Sequence, residues 1–294
     1  YSLCGHENHM SPDDHYQNLK RIIAAVGGKA KRINVIMPFL YESRQHKRSS
    51  RESLDCALAL QELTHMGVDN IITFDAHDPR VQNAIPLSGF ETVRPTYQFV
   101  KGLLDRYDDL IIDSDHMMAI SPDEGATERA VYLANVLNLD MGMFYKRRDY
   151  TRVVNGRNPI VAHEFLGSSV EGKDVIILDD MISSGDSILD VAKQLKSRNA
   201  KRIFAAATFG LFTNGLDKFD EAYESGLIDG VLTTNLIYQT PELLSRPYYI
   251  NCDMSKYVAL MIDTLNHDTP VGRINTPTEK IRLLLEKQKA GIKI

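Results

Sequence analysis

Cysteine is scarce in this chain of 294 residues: there are three, Cys4, Cys56 and Cys252, widely separated and odd in number. That spacing excludes a disulfide framework and a C-x-x-C metal site, and a reduced, cytoplasmic setting is the expectation. Long hydrophobic runs are missing as well. No apolar stretch approaches the ~20 residues that a membrane span requires, and no signal-peptide pattern opens the chain, so no membrane partner is expected. An excess of positive charge is also lacking. The 34 Lys and Arg stand against 39 Asp and Glu, a net charge of −5, which argues against a nucleic-acid partner. What remains is ordinary for a globular protein, with 43% hydrophobic and 25% charged residues and length for about two domains with buried cores. The chain opens on Tyr1 rather than on methionine, and it reads as a fragment.

The most informative stretch is Asp174 to Ala192, DVIILDDMISSGDSILDVA. A short apolar strand, Val175 to Leu178, is predicted to lead into two carboxylates, Asp179 and Asp180. A turn follows with Ser183, Ser184, Gly185, Asp186 and Ser187, and then a helix with Ile188, Leu189, Val191, Ala192 and Leu195 on one face. Strand, turn and helix aim backbone N–H groups and the positive end of a helix dipole at an anion. Carboxylates do not suit a phosphate, so Asp179 and Asp180 call for sugar hydroxyls or a divalent cation. A phosphorylated sugar satisfies both halves. Against this stands the plain alternative that Asp and Ser are common helix caps and turn residues.

An internal repeat organises the chain. Ala30, Lys31, Arg32, Ile33 and Phe39 match Ala200, Lys201, Arg202, Ile203 and Phe209 at a constant offset of 170. Each set follows a helix, enters an apolar strand, and is followed by a helix and a further strand, Asn70–Phe74 in one copy and Gly230–Thr234 in the other. A duplicated α/β domain is the reading. Strands at Leu110–Ile112, Met117–Ser121, Met141–Tyr145 and Val175–Leu178 precede the second copy. Nothing comparable precedes the first, so upstream strands are expected to be missing. Apolar strands without clean alternation, interleaved with helices, predict mostly parallel sheets covered on both faces.

Ligands of such sheets collect at the C-terminal strand ends. Four further segments lie there. Glu42–Arg51, after the predicted strand Ile33–Phe39, carries Arg44, Gln45, His46, Lys47, Arg48 and Arg51, suited to phosphate and a base edge. Asp75, His77 and Asp78 are candidate metal or phosphate contacts. Ser121–Thr127 offers Asp123, as a cap of a helix opening at Asp123 or Glu124 or as a metal ligand. Lys146–Arg152 gathers Lys146, Arg147 and Arg148, fit to clamp a transferring phosphoryl group. Each taken alone is more simply a solvated loop or a cap. Five together describe a site for polyphosphate, metal and phosphosugar.

The segments RQHKRSSRESL, IITFDAHDPRVQNAIP, SPDEGATERA, YKRRD and VIILDDMISSGDSI resemble, in order and approximate spacing, the five motifs of the ribose-phosphate pyrophosphokinases, also called PRPP synthetases. The similarity spans about residues 16 to 238. It implies an α/β fold of two tandem phosphoribosyltransferase-like domains, each a mostly parallel sheet flanked by helices. The expected bounds are 1–94, truncated upstream, and 95–265, followed by a helical segment at 266–294. It implies an Mg²⁺-dependent transfer of the diphosphoryl group of ATP to the 1-hydroxyl of ribose 5-phosphate, giving 5-phosphoribosyl 1-diphosphate and AMP, by a homo-oligomer. By the same resemblance Arg44, Gln45 and His77 bind ATP, and His77 and Asp123 lie at Mg²⁺. Lys146 and Arg148 are catalytic, and Asp179, Asp180, Ser183, Ser184, Gly185, Asp186 and Ser187 bind ribose 5-phosphate. Departures are Ser183 for an acid, Asp186 for a glycine, His46 for an aspartate and Ala126 for a glycine. Two rival readings are a non-catalytic regulatory subunit and a PRPP-consuming transferase; the retained cations oppose the first and the duplication opposes the second. Thr276–Gly291 is predicted to be an amphipathic helix with Thr276 as a cap and Gly291 as a stop.

Overall fold

The computed structural model describes residues 10–148, 160–270, 272 and 277–292. It divides into two units, each interrupted in sequence. The first comprises Tyr1–Pro95, Thr234–Gln239 and Met254–Asn275; the second comprises Thr96–Thr233, Thr240–Asp253 and Thr276–Ile294. This differs from the linear division expected from the sequence, because the helix Ser255–Asn266 packs with the first unit. Tyr257 meets Phe74 edge-on with ring centroids 6.2 Å apart, and the Arg32 guanidinium donates to Asp268.

In the first unit the elements are α1 (Pro12–Val26), β1 (Asn34–Ile36), α2 (Asp55–His65), β2 (Asn70–Phe74), a 3-10 turn (Pro79–Ala84) and β3 (Gly89–Val93). The strands form a parallel sheet in the order β1-β2-β3. Helix α1 begins with a reciprocal cap: the Ser11 hydroxyl accepts from Asp14 N–H, and Asp14 accepts from Ser11 N–H. Its Tyr16, Leu19 and Ile23, spaced for one helical face, bury against Leu60 and Leu63 of α2 and Ile71 of β2. Strand β1 is shorter than the predicted Ile33–Phe39. Pro38 has no N–H for a ladder, and its carbonyl instead accepts from Phe74 N–H and the Thr73 hydroxyl.

The second unit holds α3 (Thr96–Arg106), β4 (Met117–Ser121), α4 (Thr127–Leu137), β5 (Asp140–Arg148), β6 (Ile160–Leu166), β7 (Asp174–Ile182), α5 (Asp186–Lys196), β8 (Ile203–Gly210), α6 (Asp217–Glu224), β9 (Gly230–Thr234), α7 (Pro241–Leu244) and β10 (Tyr249–Cys252). With α8 (Ser255–Asn266) assigned to the first unit, the terminal helix of the second is α9 (Thr278–Lys289). Strand order is β10-β9-β8-β7-β4-β5-β6, and β6 runs antiparallel to β5. Along β7, Val175 and Ile177 join a core with α5 and α6, while Ile176 and Leu178 join a second core with α3, α4 and α9. Both faces are covered, which is why the strand shows no apolar–polar alternation.

The structure corrects several predicted bounds. Leu110–Ile112 is not a strand. Leu110 and Ile112 are buried, but the Asp113 carboxylate accepts from the N–H groups of Asp115 and His116 and turns the chain before β4. Strand β7 extends through Asp179 and Asp180 to Ile182, and β5 extends through Lys146 to Arg148, so these residues lie within strands rather than after them. Helix α4 opens at Thr127, not at Asp123 or Glu124, because Asp123 accepts from Gly125 and Ala126 N–H in a tight turn ahead of it. Helix α9 shows no side-chain cap. Thr276 lies outside the described residues, and Gly291 follows the helix with φ 68°, as a stop requires. Among the described residues no helix is long and apolar enough to cross a membrane.

The repeat holds at the level of hydrogen bonds. Ile33 N–H donates to the Asp69 carboxylate and Ile203 N–H to that of Asp229, both at 2.8 Å. In return Asp69 N–H donates to Ile33 C=O and Asp229 N–H to Ile203 C=O. Asn34 pairs with the first residue of β2, and its counterpart Phe204 pairs with the first residue of β9.

Candidate active site

In the second unit, β7 sits centrally between β4 and β8, and its C-terminal end carries Asp179 and Asp180. Asp180 is buried and Asp179 partly so; Asp180 N–H donates to the Asp179 carboxylate at 2.8 Å. Burial foremost, then the charge of Asp180 and more weakly that of Asp123, push the Asp179 carboxyl well above the usual carboxylate range. Three acids from the ends of neighbouring parallel strands thus lie close enough for Asp180 and Asp123 to act on Asp179. Such a group favours a cation or hydroxyl donors.

Three residues beyond Asp180 the chain leaves the strand at Ser183, and the predicted turn Ser183–Ser187 is shorter than expected, because α5 opens at Asp186 and takes in Ser187. Gly185 caps α5 in the left-handed region, φ 83°, and a Cβ there would lie 2.4 Å from the Phe219 ring. Only glycine fits. Ser183 is held from the next strand end: Thr213 N–H donates to its carbonyl at 3.0 Å, and the two side-chain hydroxyls are 3.5 Å apart. Asp186 is the first residue of α5. Its carboxylate accepts from the Ser184 hydroxyl at 3.0 Å and from Lys218 Nζ at 2.5 Å. The loop therefore opens a helix whose first N–H groups have no intrahelical acceptor, the general anion-binding arrangement.

Thr213, Lys218 and Phe219 were not singled out in the sequence. All three follow β8, so the rule that directed attention to the other strand ends applied equally to this one.

Lys146 and Arg148 have their backbone in β5, paired with β6; Lys146 stands opposite His163, and the register shifts between Arg147 and Arg148. Residues 149–159, which include the rest of the predicted Lys146–Arg152 segment, lie outside the described residues.

The first unit carries Arg44, Gln45 and His77. Arg44 is exposed. The Gln45 amide donates to Ser53 C=O at 2.8 Å, bracing the basic loop internally. Where the resemblance has an aspartate, His46 places Nε2 3.5 Å from Asp78, with its ring 5.1 Å from that of His77. Burial, then the neighbouring His77, lower the His46 pKa. Arg80 grips Asp78 through Nε–Oδ1 at 2.9 Å and Nη2–Oδ2 at 2.5 Å, which holds that carboxyl down to about 2. Asp75, buried where β2 ends, has φ 42°, uncommon for a residue with a side chain and frequent at functional turns.

Among the described residues no group of three or more His, Cys, Asp or Glu side chains forms a protein-only metal cage. Carboxylate oxygens suit Mg²⁺, which keeps several waters and uses one or two carboxylates together with substrate phosphates. The acidic end of β7 and β4 fits that ion.

Residues 93–234 match the phosphoribosyl transferase domain family, and residues 2–67 match the N-terminal domain of ribose phosphate pyrophosphokinase. A ribose-phosphate pyrophosphokinase of Mycoplasma genitalium is 31% identical over 240 residues, covering 81% of this chain and 67% of that protein. One from Pasteurella multocida is 30% identical over 233 residues, covering 77% and 69%. Other such relatives are spanned over 61% to 78% of their length. A crystal structure of phosphoribosylpyrophosphate synthetase from Mycobacterium smegmatis superposes with a TM-score of 0.73 at 24% identity, over 87% of this chain and 79% of that one, a likeness of fold.

Proposed function

The chain belongs to the ribose-phosphate pyrophosphokinase family, and from that premise we propose that it transfers the β,γ-diphosphoryl group of ATP to ribose 5-phosphate. The 1-hydroxyl oxygen forms a bond to the β-phosphorus and its proton passes to solvent, the bond from that phosphorus to the oxygen bridging it to the α-phosphate breaks, and AMP leaves with that oxygen. The observation that carries this reading is the pair Asp179–Asp180 near the C-terminal end of β7, with the segment Ser183–Ser187 following Ile182. The acids accept from the ribose hydroxyls, and the loop with the α5 N-terminus takes the 5-phosphate.

Lys146 and Arg148 oppose the charge that develops on the transferring group. Arg44, Gln45 and His77 of the first unit serve ATP, and each unit offers a residue for Mg²⁺, His77 in the first and Asp123 in the second. When bound, Mg²⁺ neutralises and orients the triphosphate. Reactions of this type rest on positioning and charge neutralisation, which matches a site of cations, carboxylates and backbone donors.

The complete protein, given ATP, ribose 5-phosphate and Mg²⁺, is expected to form AMP and 5-phosphoribosyl 1-diphosphate in equal amounts, followed by chromatography. No AMP from folded protein would favour a regulatory subunit. Base-dependent release of diphosphate from 5-phosphoribosyl 1-diphosphate would favour a transferase. Lys146→Ala is expected to lower kcat by about 10²–10³ with little change in ribose 5-phosphate binding. Unchanged kcat would remove Lys146 from the mechanism.

A further inference from the structure

The loop assigned to the 5-phosphate contains an acid, Asp186, that would repel a phosphate dianion. The structure supplies a counterweight. Lys218, the second residue of α6, places Nζ 2.5 Å from Asp186 Oδ1, while the Ser184 hydroxyl donates to Oδ2 at 3.0 Å. The effect is mutual: Lys218 holds the Asp186 carboxyl below the usual range, and Asp186 raises the Lys218 ammonium.

Stability does not account for the pair. The two side chains are 53% and 54% exposed, and exposed ion pairs contribute little to folding. Position does account for it. Phe219, next to Lys218, is fully buried, stacks edge-on with Phe212 at 5.2 Å, and fills the space that makes Gly185 obligatory. Thr213, in the same connection, binds Ser183 C=O. The segment from β8 to α6 therefore touches the loop at Ser183, Gly185 and Asp186, and Lys218 arrives at a fixed place on a flexible stem.

We propose that Lys218 determines specificity for the phosphorylated end of ribose 5-phosphate: it cancels the charge of Asp186 and shares its ammonium with the incoming phosphate. The inference rests on the reading that residues 183–187 hold that phosphate. It explains how an acid is tolerated in the loop, and it makes Asp186 and Lys218 a coupled pair rather than two independent residues.

The test is a double-mutant cycle with Lys218→Ala, Asp186→Gly and the combination, with KM for ribose 5-phosphate, KM for ATP and kcat measured separately. Binding of inorganic phosphate is followed in parallel by calorimetry. Lys218→Ala is expected to raise KM for ribose 5-phosphate about tenfold, the size of one charge-assisted contact, and to weaken phosphate binding alike. KM for ATP should stay within about twofold, a split that general loosening of the fold would not produce. Asp186→Gly alone should lower KM for ribose 5-phosphate, and in the Lys218→Ala background it should restore most of the loss. Lys218→Ala with an unaltered KM, or a double variant no better than Lys218→Ala, would overturn the proposal. If the wild-type chain makes no AMP, the catalytic reading falls, and the phosphate-binding cycle still decides the role of Lys218.

Discussion

Arg32 and Arg202 stand 170 residues apart at the same place of the two repeats, and they serve different ends. Arg202 is locked. Its Nε and Nη2 lie 2.9 and 2.7 Å from the two oxygens of buried Asp174, its Nη1 lies 2.9 Å from Asp109, and its guanidinium is 5.6 Å from the Tyr107 ring and 5.8 Å from that of Phe204. Arg32 donates to Asp268 and to the Leu265 carbonyl, outside any core. The residues around them have stayed alike: Ile33 with Asp69 and Ile203 with Asp229 make the same paired bonds. The backbone bracket that sets one parallel strand against the next is thus common to both copies. The side chain beside it is free to become a part-buried strut in one and a surface contact in the other.

The comparison is most sharply tested by removing the two arginines. Arg202→Ala leaves Asp174 buried beside a missing partner and is expected to cost about 3–5 kcal/mol. Arg32→Ala should cost under about 1 kcal/mol. Urea melts of both variants give the answer, and equal costs would break the contrast.

A smaller contrast lies in the bracket acids. Asp229 is partly buried and Asp69 exposed. Asp229→Ala, which strips a buried N–H of its acceptor, is expected to cost about 1–3 kcal/mol, and Asp69→Ala about 0.5–1.

The smallest expected effect has the opposite sign. Asp179 is held in an environment that raises its pKa, so the folded chain binds this proton more tightly than the unfolded chain does. Its ionisation therefore costs stability as pH rises above the unfolded value of about 3.9. Asp179→Asn should melt a few degrees higher than wild type at neutral pH, with the difference vanishing at acid pH, and it should lose activity. A lower melting temperature at neutral pH would contradict the strain assigned to this strand end.

Much of this was readable in the sequence, for identifiable reasons. The strand-to-helix joint after β7 was readable from its glycine, serine and acid residues, although those types are also common caps and only the other four segments tilted the reading to a ligand. The repeat was readable because Ala-Lys-Arg-Ile recurs before matching strands. The length of β7 was not readable. Carboxylates are poor strand formers, yet the ladder to β8 carries on through Asp179↔Ala207 to Ile182↔Gly210, beyond the ladder to β4, which ends at Ile177. Leu110–Ile112 misled in the other direction, since burial without ladder partners looks like a strand in composition. The return of Met254–Asn275 to the first unit depends on contacts such as Tyr257 with Phe74, which no local pattern encodes. Lys218 is one exposed lysine among many until the fold sets it against Asp186.

The central claim is that a diphosphoryl group moves intact onto a sugar held at the end of β7. The direct measurement uses ATP labelled with ³²P at the β-position, together with ribose 5-phosphate and Mg²⁺. The account predicts that the label appears in 5-phosphoribosyl 1-diphosphate and none in AMP. Label recovered in ADP, with a single phosphate transferred or released, would contradict it.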